Sequence, residues 1–138
     1  MGIATIQQFP NLKIELMKKE KKKVLIFGDK FTKRMIHNIH DIAKSKAVVF
    51  SRDIIIENEE PVDLLVISSE DLIQFSDFEK FRNEYGKEGM KIALVCNVSV
   101  GDIECAKKIA QTECCFFSFD FVGKVEKEVR NRFLSMLN

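Results

Sequence analysis

The sequence predicts an α/β protein in which helices cover both faces of a mainly parallel sheet, a three-layer α/β/α sandwich. Five short runs are apolar at nearly every position, as strands buried on both faces of a parallel sheet are. The segments between these runs repeat apolar residues every three or four positions, as helices that cover a sheet do. Because the two patterns alternate along a chain of 138 residues, we expect one domain with right-handed crossovers.

The predicted elements alternate from residue 23 onward. The strand runs are 23–27 (KVLIF), 47–50 (AVVF), 63–68 (DLLVIS), 91–96 (KIALVC) and 114–119 (CCFFSF). The helical repeats are Met35, Ile39 and Ile42; Phe75, Phe78, Phe81 and Tyr85; Ile103, Ala106 and Ala110; and Val125, Val129, Phe133 and Met136. Residues 51–62 are too few for a covering helix, and their run of isoleucines before a proline predicts a loop or a short extra strand. We divide the chain into a lead-in segment, 1–22, and a domain, 23–138.

The composition excludes several classes of partner and site. There are 22 Lys and Arg against 21 Asp and Glu, so no overall field attracts nucleic acid or a membrane surface, and neither is an expected partner. The four cysteines show no paired spacing, which indicates free thiols in a reducing, intracellular compartment. No apolar run approaches the roughly 18 residues of a membrane span, so we expect a soluble protein. No metal site is predicted.

The turn after the first predicted strand lies where a nucleotide-binding protein has its phosphate loop. A loop of the form GxxxxGK[ST] wraps phosphates with backbone N–H groups, and its lysine and hydroxyl complete the site. Gly28 matches the first glycine, but Lys33, Arg34 and Met35 stand where the second glycine, the lysine and the hydroxyl belong. We therefore interpret this turn as the remnant of a phosphate loop, kept as a helix start with Thr32 as the N-cap.

The receiver domains of two-component signalling share the predicted strand order but need a different set of residues. They require an acidic pair after the first strand, an aspartate after the third and a lysine after the fifth. Here Asp29 is a single acid, the third strand ends in Ser68 and Ser69, and Ser118 follows the fifth. A receiver with these residues is not expected to be phosphorylated normally.

The second half of the chain resembles a Ras-type small GTPase without its nucleotide motifs. The segments DLLVISSEDLIQFSDFEKFRNEY, KIALVCN, AKKIAQTECCFFSFD and VEKEVRNRFLSMLN are similar to the family's last strands and helices. Asn97 matches the asparagine of the base-recognition motif, but Val98 and Val100 replace its lysine and aspartate. Ser118 matches the serine of the last motif, whose alanine and lysine are replaced by Phe119 and the aspartate after it. The span 28–63 is also too short for both switch regions.

A GTPase scaffold that lacks switches and nucleotide motifs is similar to the centromere protein M family, the pseudo-GTPases of the inner kinetochore. The segments that suggest this family are FPNLK, VDLLVIS and KIALVCN. The resemblance implies a non-enzymatic, cofactor-free structural subunit in the nucleus, at the centromere. It implies a helical-repeat partner like centromere protein I, together with centromere proteins H and K.

Surplus apolar residues near the end are the candidate partner contacts. Phe119 and Phe121 continue the alternation of the last predicted strand and are expected on one face of it, and Leu134 and Leu137 lie on the last helix. Core packing is the favoured interpretation for the phenylalanines. The leucines are the better candidates, because a helix covered on one side does not need them. Two alternatives stay open. One is an atypical nucleotide-binding GTPase or ATPase that uses Lys33 or Arg34, and the other is a degenerate receiver that serves as a dimerisation or docking domain.

Overall fold

The structure is a computed structural model and describes residues 21–53, 61–75, 77–97, 100–112 and 115–138. Its five strands are β1 (Lys22–Phe27), β2 (Ala47–Arg52), β3 (Val62–Ser68), β4 (Gly86–Cys96) and β5 (Cys115–Phe117). They form one sheet in the order β2-β1-β3-β4-β5, and every neighbouring pair is parallel. The predicted α/β class with a parallel sheet is confirmed.

The described residues form five α-helices and one short 3-10 helix; the 3-10 helix and the last α-helix follow β5. They are α1 (Lys33–Ala43), α2 (Ser69–Gln74), α3 (Phe78–Tyr85), α4 (Val100–Ala110) and α5 (Lys127–Ser135), and the 3-10 helix is Ser118–Phe121. Within the described ranges, no helix has the length and apolar character needed to cross a membrane. Residues 1–20 and 54–60 lie outside the description, so the predicted structures of the lead-in segment and of the isoleucine run are not seen.

The core has two parts because side chains alternate between the two faces of each strand. On one face, Val24, Ile26, Leu64 and Val66 pack with residues of α1 and α5. On the other face, the alternate residues of the same strands pack with α2, α3 and α4. Both faces are therefore covered, which explains why the strands are apolar almost throughout.

Side-chain caps start three of the helices. The backbone N–H of Met35 donates to Thr32 Oγ1 at 3.2 Å, so the predicted N-cap of α1 is confirmed. Ser68 caps α2 in the same way, and Asp77 caps α3. These bonds satisfy N–H groups that have no partner inside the helix.

The last strand ends at Phe117, earlier than predicted, so Phe119 and Phe121 lie in the turn that follows it. The carboxylate of Asp120 accepts a hydrogen bond from the backbone N–H of Phe117 at 2.9 Å, and the chain turns into the 3-10 helix there. Asn38 Nδ2 holds the far end of this turn by donating to the carbonyls of Phe121 and Gly123. Phe119 is therefore 71% exposed, whereas Phe121 is fully buried. The prediction that these two rings lie on one face of a strand was wrong.

The two leucines proposed as partner contacts also belong to the interior. Leu137 is buried in the core between the sheet and the helices α1 and α5, and Leu134 is partly buried against the same core. The chain continues past the end of α5 in a turn, where Leu137 N donates to the carbonyl of Leu134. Leu137 lies four residues after Phe133, so helical spacing places both on the inner face of this segment. Of the four predicted contacts, only Phe119 presents most of its side chain to solvent.

Candidate functional site at the carboxyl edge of the sheet

The carboxyl ends of the parallel strands bring polar residues from five segments to one edge. Asp29 follows β1, Asp53 follows β2, Ser68 ends β3, Asn97 follows β4 and Ser118 follows β5. The chain leaves β1 toward one face and β3 toward the other, so a crevice opens between these two strands. This is the place where open α/β sheets bind their ligands.

A cavity of about 340 Å³ occupies this crevice, and acidic residues line it. Asp29, Asp53 and Asp71 contribute the acidic groups, and Gly28 forms part of the wall. The Oδ2 atom of Asp71 is buried against Gly28 and has no hydrogen-bond partner among the described residues. Burial raises the pKa of the Asp71 carboxyl group, and the negative charge of Asp29 adds to the rise, whereas the hydrogen bond with Ser68 opposes it. The cavity therefore disfavours further negative charge.

Asp71→Asn should raise the free energy of unfolding at neutral pH by less than about 1 kcal/mol, because the carboxyl group is only partly buried. The pKa of Asp71 is higher in the folded than in the unfolded chain. Ionisation of Asp71 therefore lowers the free energy of unfolding. This loss is absent at pH values below the pKa of the unfolded chain and reaches its full size above the pKa of the folded chain. We expect the gain from the substitution to appear as the pH rises through the acidic range.

Urea unfolding of both proteins from acidic to neutral pH measures this effect. Asp29→Asn is the comparison variant: it removes an exposed charge from the same cavity, and because that charge adds to the rise of the Asp71 pKa, we expect a smaller gain with the same pH dependence. A gain from Asp71→Asn that is equally large at the acidic end would show that burial of the charge is not the cause.

A chain of hydrogen bonds and a long ion pair crosses the edge from β5 to β1. The hydroxyl of Ser118 donates to Asn97 Oδ1, and Asn97 Nδ2 donates to Glu70 Oε1 at 3.5 Å. The other carboxylate oxygen of Glu70 lies 3.9 Å from the ammonium of Lys30. Two predicted site residues, Asn97 and Ser118, are thus brought together, but their polar groups are engaged with each other.

The other residues of the predicted phosphate loop do not converge on a ligand. Lys33 and Arg34 are exposed in the first turn of α1. Met35 is 3% exposed and packs in the core, and Phe31, inside the loop itself, is also buried. The loop therefore anchors α1 to the sheet through apolar contacts. Val98 lies outside the described residues, and Val100 begins α4.

No group of three or more histidine, cysteine, aspartate or glutamate side chains within the described ranges is arranged to hold a metal ion.

Sequence reasoning missed Glu70 and Asp71, which the structure places at the centre of the site. The available signal was the order Ser68-x-x-Asp71 directly after a buried strand, which predicts a capped helix start at the carboxyl edge.

Comparisons with known proteins give a structural match without a sequence match. No protein-family model matches the chain, and no curated protein is significantly similar to it in sequence. The crystal structure of a response regulator CheY-like protein from Mesorhizobium loti is similar in fold, with a TM-score of 0.58. The match covers 86% of this chain and 99% of that chain, at 10% sequence identity. At this identity the similarity concerns the fold alone.

The identification with a small GTPase and with the centromere protein M family was wrong, because the fold matches a CheY-like protein. The error has a physical cause: the resemblance rested on the apolar framework, and any sheet of five buried parallel strands produces a similar framework. The nuclear, centromeric location and the partners centromere proteins H, I and K were implied by that resemblance alone and stay untested. The chain has an α/β fold of the CheY-like type, with a five-stranded parallel sheet between helices.

Proposed function

We propose that the chain is a receiver-like docking domain that does not accept phosphate and acts by binding protein. The observation behind this proposal is Ser68, at the end of β3, where a receiver requires its acceptor aspartate. Ser68 is 7% exposed, and its Oγ accepts the backbone N–H of Asp71 at 3.1 Å. A buried, neutral hydroxyl that caps a helix does not supply the carboxylate that a receiver needs as its phosphate acceptor.

The other positions of receiver chemistry support the same conclusion. Ser118 stands at the end of β5 in place of the lysine, and its hydroxyl is bonded to Asn97. Asp29, the second residue after β1, is a single acid where a receiver has an acidic pair. These residues do not form a catalytic set, and we propose that the chain is not an enzyme.

An exposed aromatic surface next to β5 supports a docking role. Phe119 is 71% exposed and Val122 is 46% exposed. The ring of Phe119 stacks on that of Phe117, with the ring centroids 5.4 Å apart and the planes 5° from parallel. Below this surface Arg132 donates to the carbonyl of Cys115 at 2.6 Å, which ties β5 to α5. Large apolar side chains held in place on a surface are typical of contact sites.

The absence of phosphotransfer can be tested with acetyl phosphate and Mg²⁺, followed by intact mass measurement. We expect no gain of a phosphoryl group under conditions that phosphorylate a receiver with the full residue set. Stable phosphorylation of any aspartate at the carboxyl edge would contradict the proposal.

The docking surface can be tested first against a second copy of the chain, since a two-fold contact would bring the two Phe119 rings together. We expect concentration-dependent association in sedimentation experiments, weakened by Phe119→Ser. Val48→Ser is the matched control, because Val48 is also exposed, at 42%, but lies on the opposite edge strand β2. Association that Val48→Ser weakens as much as Phe119→Ser, or a chain that stays monomeric at high concentration, would count against a self-docking surface there.

A further inference from the structure

A second cavity lies at the opposite, amino edge of the sheet, away from the carboxyl-edge site. It is a cleft of about 620 Å³ between the end of α3, the start of β4 and the end of α4. An irregularity in β4 forms it: Val62 pairs with Gly86, but Leu64 pairs with Lys91, so two steps along β3 match five along β4. The extra residues bulge out from the ladder and form one wall. Cavities of this volume are typical of small-molecule sites, and bulges are frequent beside such sites.

Positively charged side chains dominate the polar part of this cleft. Arg82, Lys87 and Lys91 line it, and Glu88 is its acidic side chain. Lys87 is already paired with Asp63 at 3.3 Å, and Lys91 reaches the carbonyl of Asn138 at 3.5 Å. The cleft therefore carries a net positive charge.

The guanidinium of Arg82 is incompletely satisfied. Its Nη1 lies 3.4 Å from Gln111 Oε1, and its Nη2 lies 3.5 Å from the carbonyl of Ala110, both long for hydrogen bonds of a charged group. Its Nε is buried and has no acceptor among the described residues. Buried donors normally have partners, so this unpaired N–H group leaves the guanidinium with bonding capacity that the described residues do not use. The ring of Phe78 lies against the guanidinium, 5.6 Å from centroid to carbon, and limits its movement.

The backbone at Gln111 is strained beside this guanidinium. Gln111 has φ of 55°, in the left-handed region that favours glycine, and it is the only described residue other than glycine with positive φ. It follows α4, where the N–H of Thr112 donates to the carbonyl of Lys107 at 3.1 Å, a helix ending that usually uses glycine. Keeping glutamine there places its side-chain oxygen within reach of Arg82. Strain of this kind concentrates at functional sites.

The floor of the cleft is apolar. Met90, Ile92 and Ala110 line it and are almost completely buried. A ligand that fits must therefore combine an apolar body with an anionic head. We propose that this cleft binds a small organic oxyanion, a carboxylate or a phosphate ester, whose head contacts Arg82 and Lys91 and whose body packs on Met90 and Ile92. The proposal does not depend on the docking function.

The test is a titration of the full chain, followed by the backbone amide signals in NMR spectra. Phenyl phosphate and benzoate each carry an anionic group and an aromatic ring. Inorganic phosphate carries the anionic group alone, and benzyl alcohol carries the aromatic ring alone. We expect saturable shifts of the amides of Gly86, Gly89 and Gln111, with roughly tenfold weaker binding of either half-probe. Whether phenyl phosphate or benzoate binds more tightly identifies the head group. No saturable shift with either probe, or shifts centred on the first turn of α1, would overturn the proposal.

Arg82→Gln should weaken binding of the better probe by about tenfold or more, because charge-assisted bonds to the head are lost. Arg130→Gln is the matched control: it removes the same charge from α5, where Arg130 faces Asp41. Lys91→Met is the second variant and keeps the test valid if Arg82→Gln does not fold. Binding that survives in Arg82→Gln and Lys91→Met, or that falls equally in Arg130→Gln, would overturn the site.

Discussion

Replacing Phe121 by alanine should lower the free energy of unfolding by about 3–5 kcal/mol, a large part of the stability of a domain of this size. Phe121 is fully buried, and its ring contacts those of Phe116 and Phe133 at centroid distances of 5.6 and 6.2 Å. Removal of the ring leaves a cavity between the sheet and α5 that close-packed neighbours fill only in part. Chemical denaturation of the purified variant measures the loss.

Phe119→Ala is the matched control, since it truncates the same side chain two residues earlier. Phe119 is 71% exposed and contacts the ring of Phe117. We expect a loss of no more than about 1 kcal/mol, the value of an exposed ring pair. Equal losses for the two variants would contradict the described turn after β5 and would restore the extended strand that the sequence predicts.

The contrast between these two phenylalanines shows what the sequence could and could not predict. A strand places residues two apart on one face, so an alternation through 117, 119 and 121 predicts one common environment. The hydrogen bond from the Phe117 N–H to Asp120 turns the chain into a 3-10 helix, in which side chains repeat every three residues instead of every two. The rings of Phe119 and Phe121 therefore lie in different environments. Apolar periodicity does not report such a side-chain contact. It places the five strands and four of the described helices, but it missed α2 and assigned Phe75, the C-cap of α2, to the helix that follows.

The fold class was predictable for a related reason, and its subtype was not. Strands such as β3 are buried at almost every position, which requires helices on both faces. This requirement is common to all doubly wound sheets, whatever ligand their crevices bind. The residues that distinguish one subtype from another are the few at the strand ends, and here Ser68 and Ser118 stand where a receiver has its aspartate and lysine. The apolar framework therefore led to the wrong family.

The cleft at the amino edge could not be predicted for a different reason. Its wall depends on the register between β3 and β4, which changes between Val62 and Leu64. In the sequence the segment before Lys91 reads as an ordinary polar connection. Only the pairing shows that Gly86 already belongs to the sheet, and only the fold brings Arg82 to Gln111.

Gly28→Ala should lower the free energy of unfolding by roughly 1–3 kcal/mol through backbone strain, and by more if Asp71 cannot move. Gly28 has φ of 107°, which side chains other than hydrogen rarely allow, and an added Cβ would overlap the Asp71 carboxylate. Gly89→Ala separates the two causes, because Gly89 has φ of 80° with nothing within 4 Å of its added Cβ. Gly123→Ala has neither constraint and should change stability by less than about 0.5 kcal/mol.

A double-mutant cycle with Asp71→Ala then tests the contact itself. If the carboxylate is the obstacle, Gly28→Ala should cost less in the Asp71→Ala background, and the remaining cost should match that of Gly89→Ala. If Gly28→Ala lowers the free energy of unfolding equally with and without Asp71→Ala, backbone strain alone explains the loss. If Gly28→Ala were as mild as Gly123→Ala, the turn after β1 would not need its glycine. Since this turn forms the wall of the carboxyl-edge cavity, its conformation determines how Asp71 is buried and therefore how far its pKa is raised.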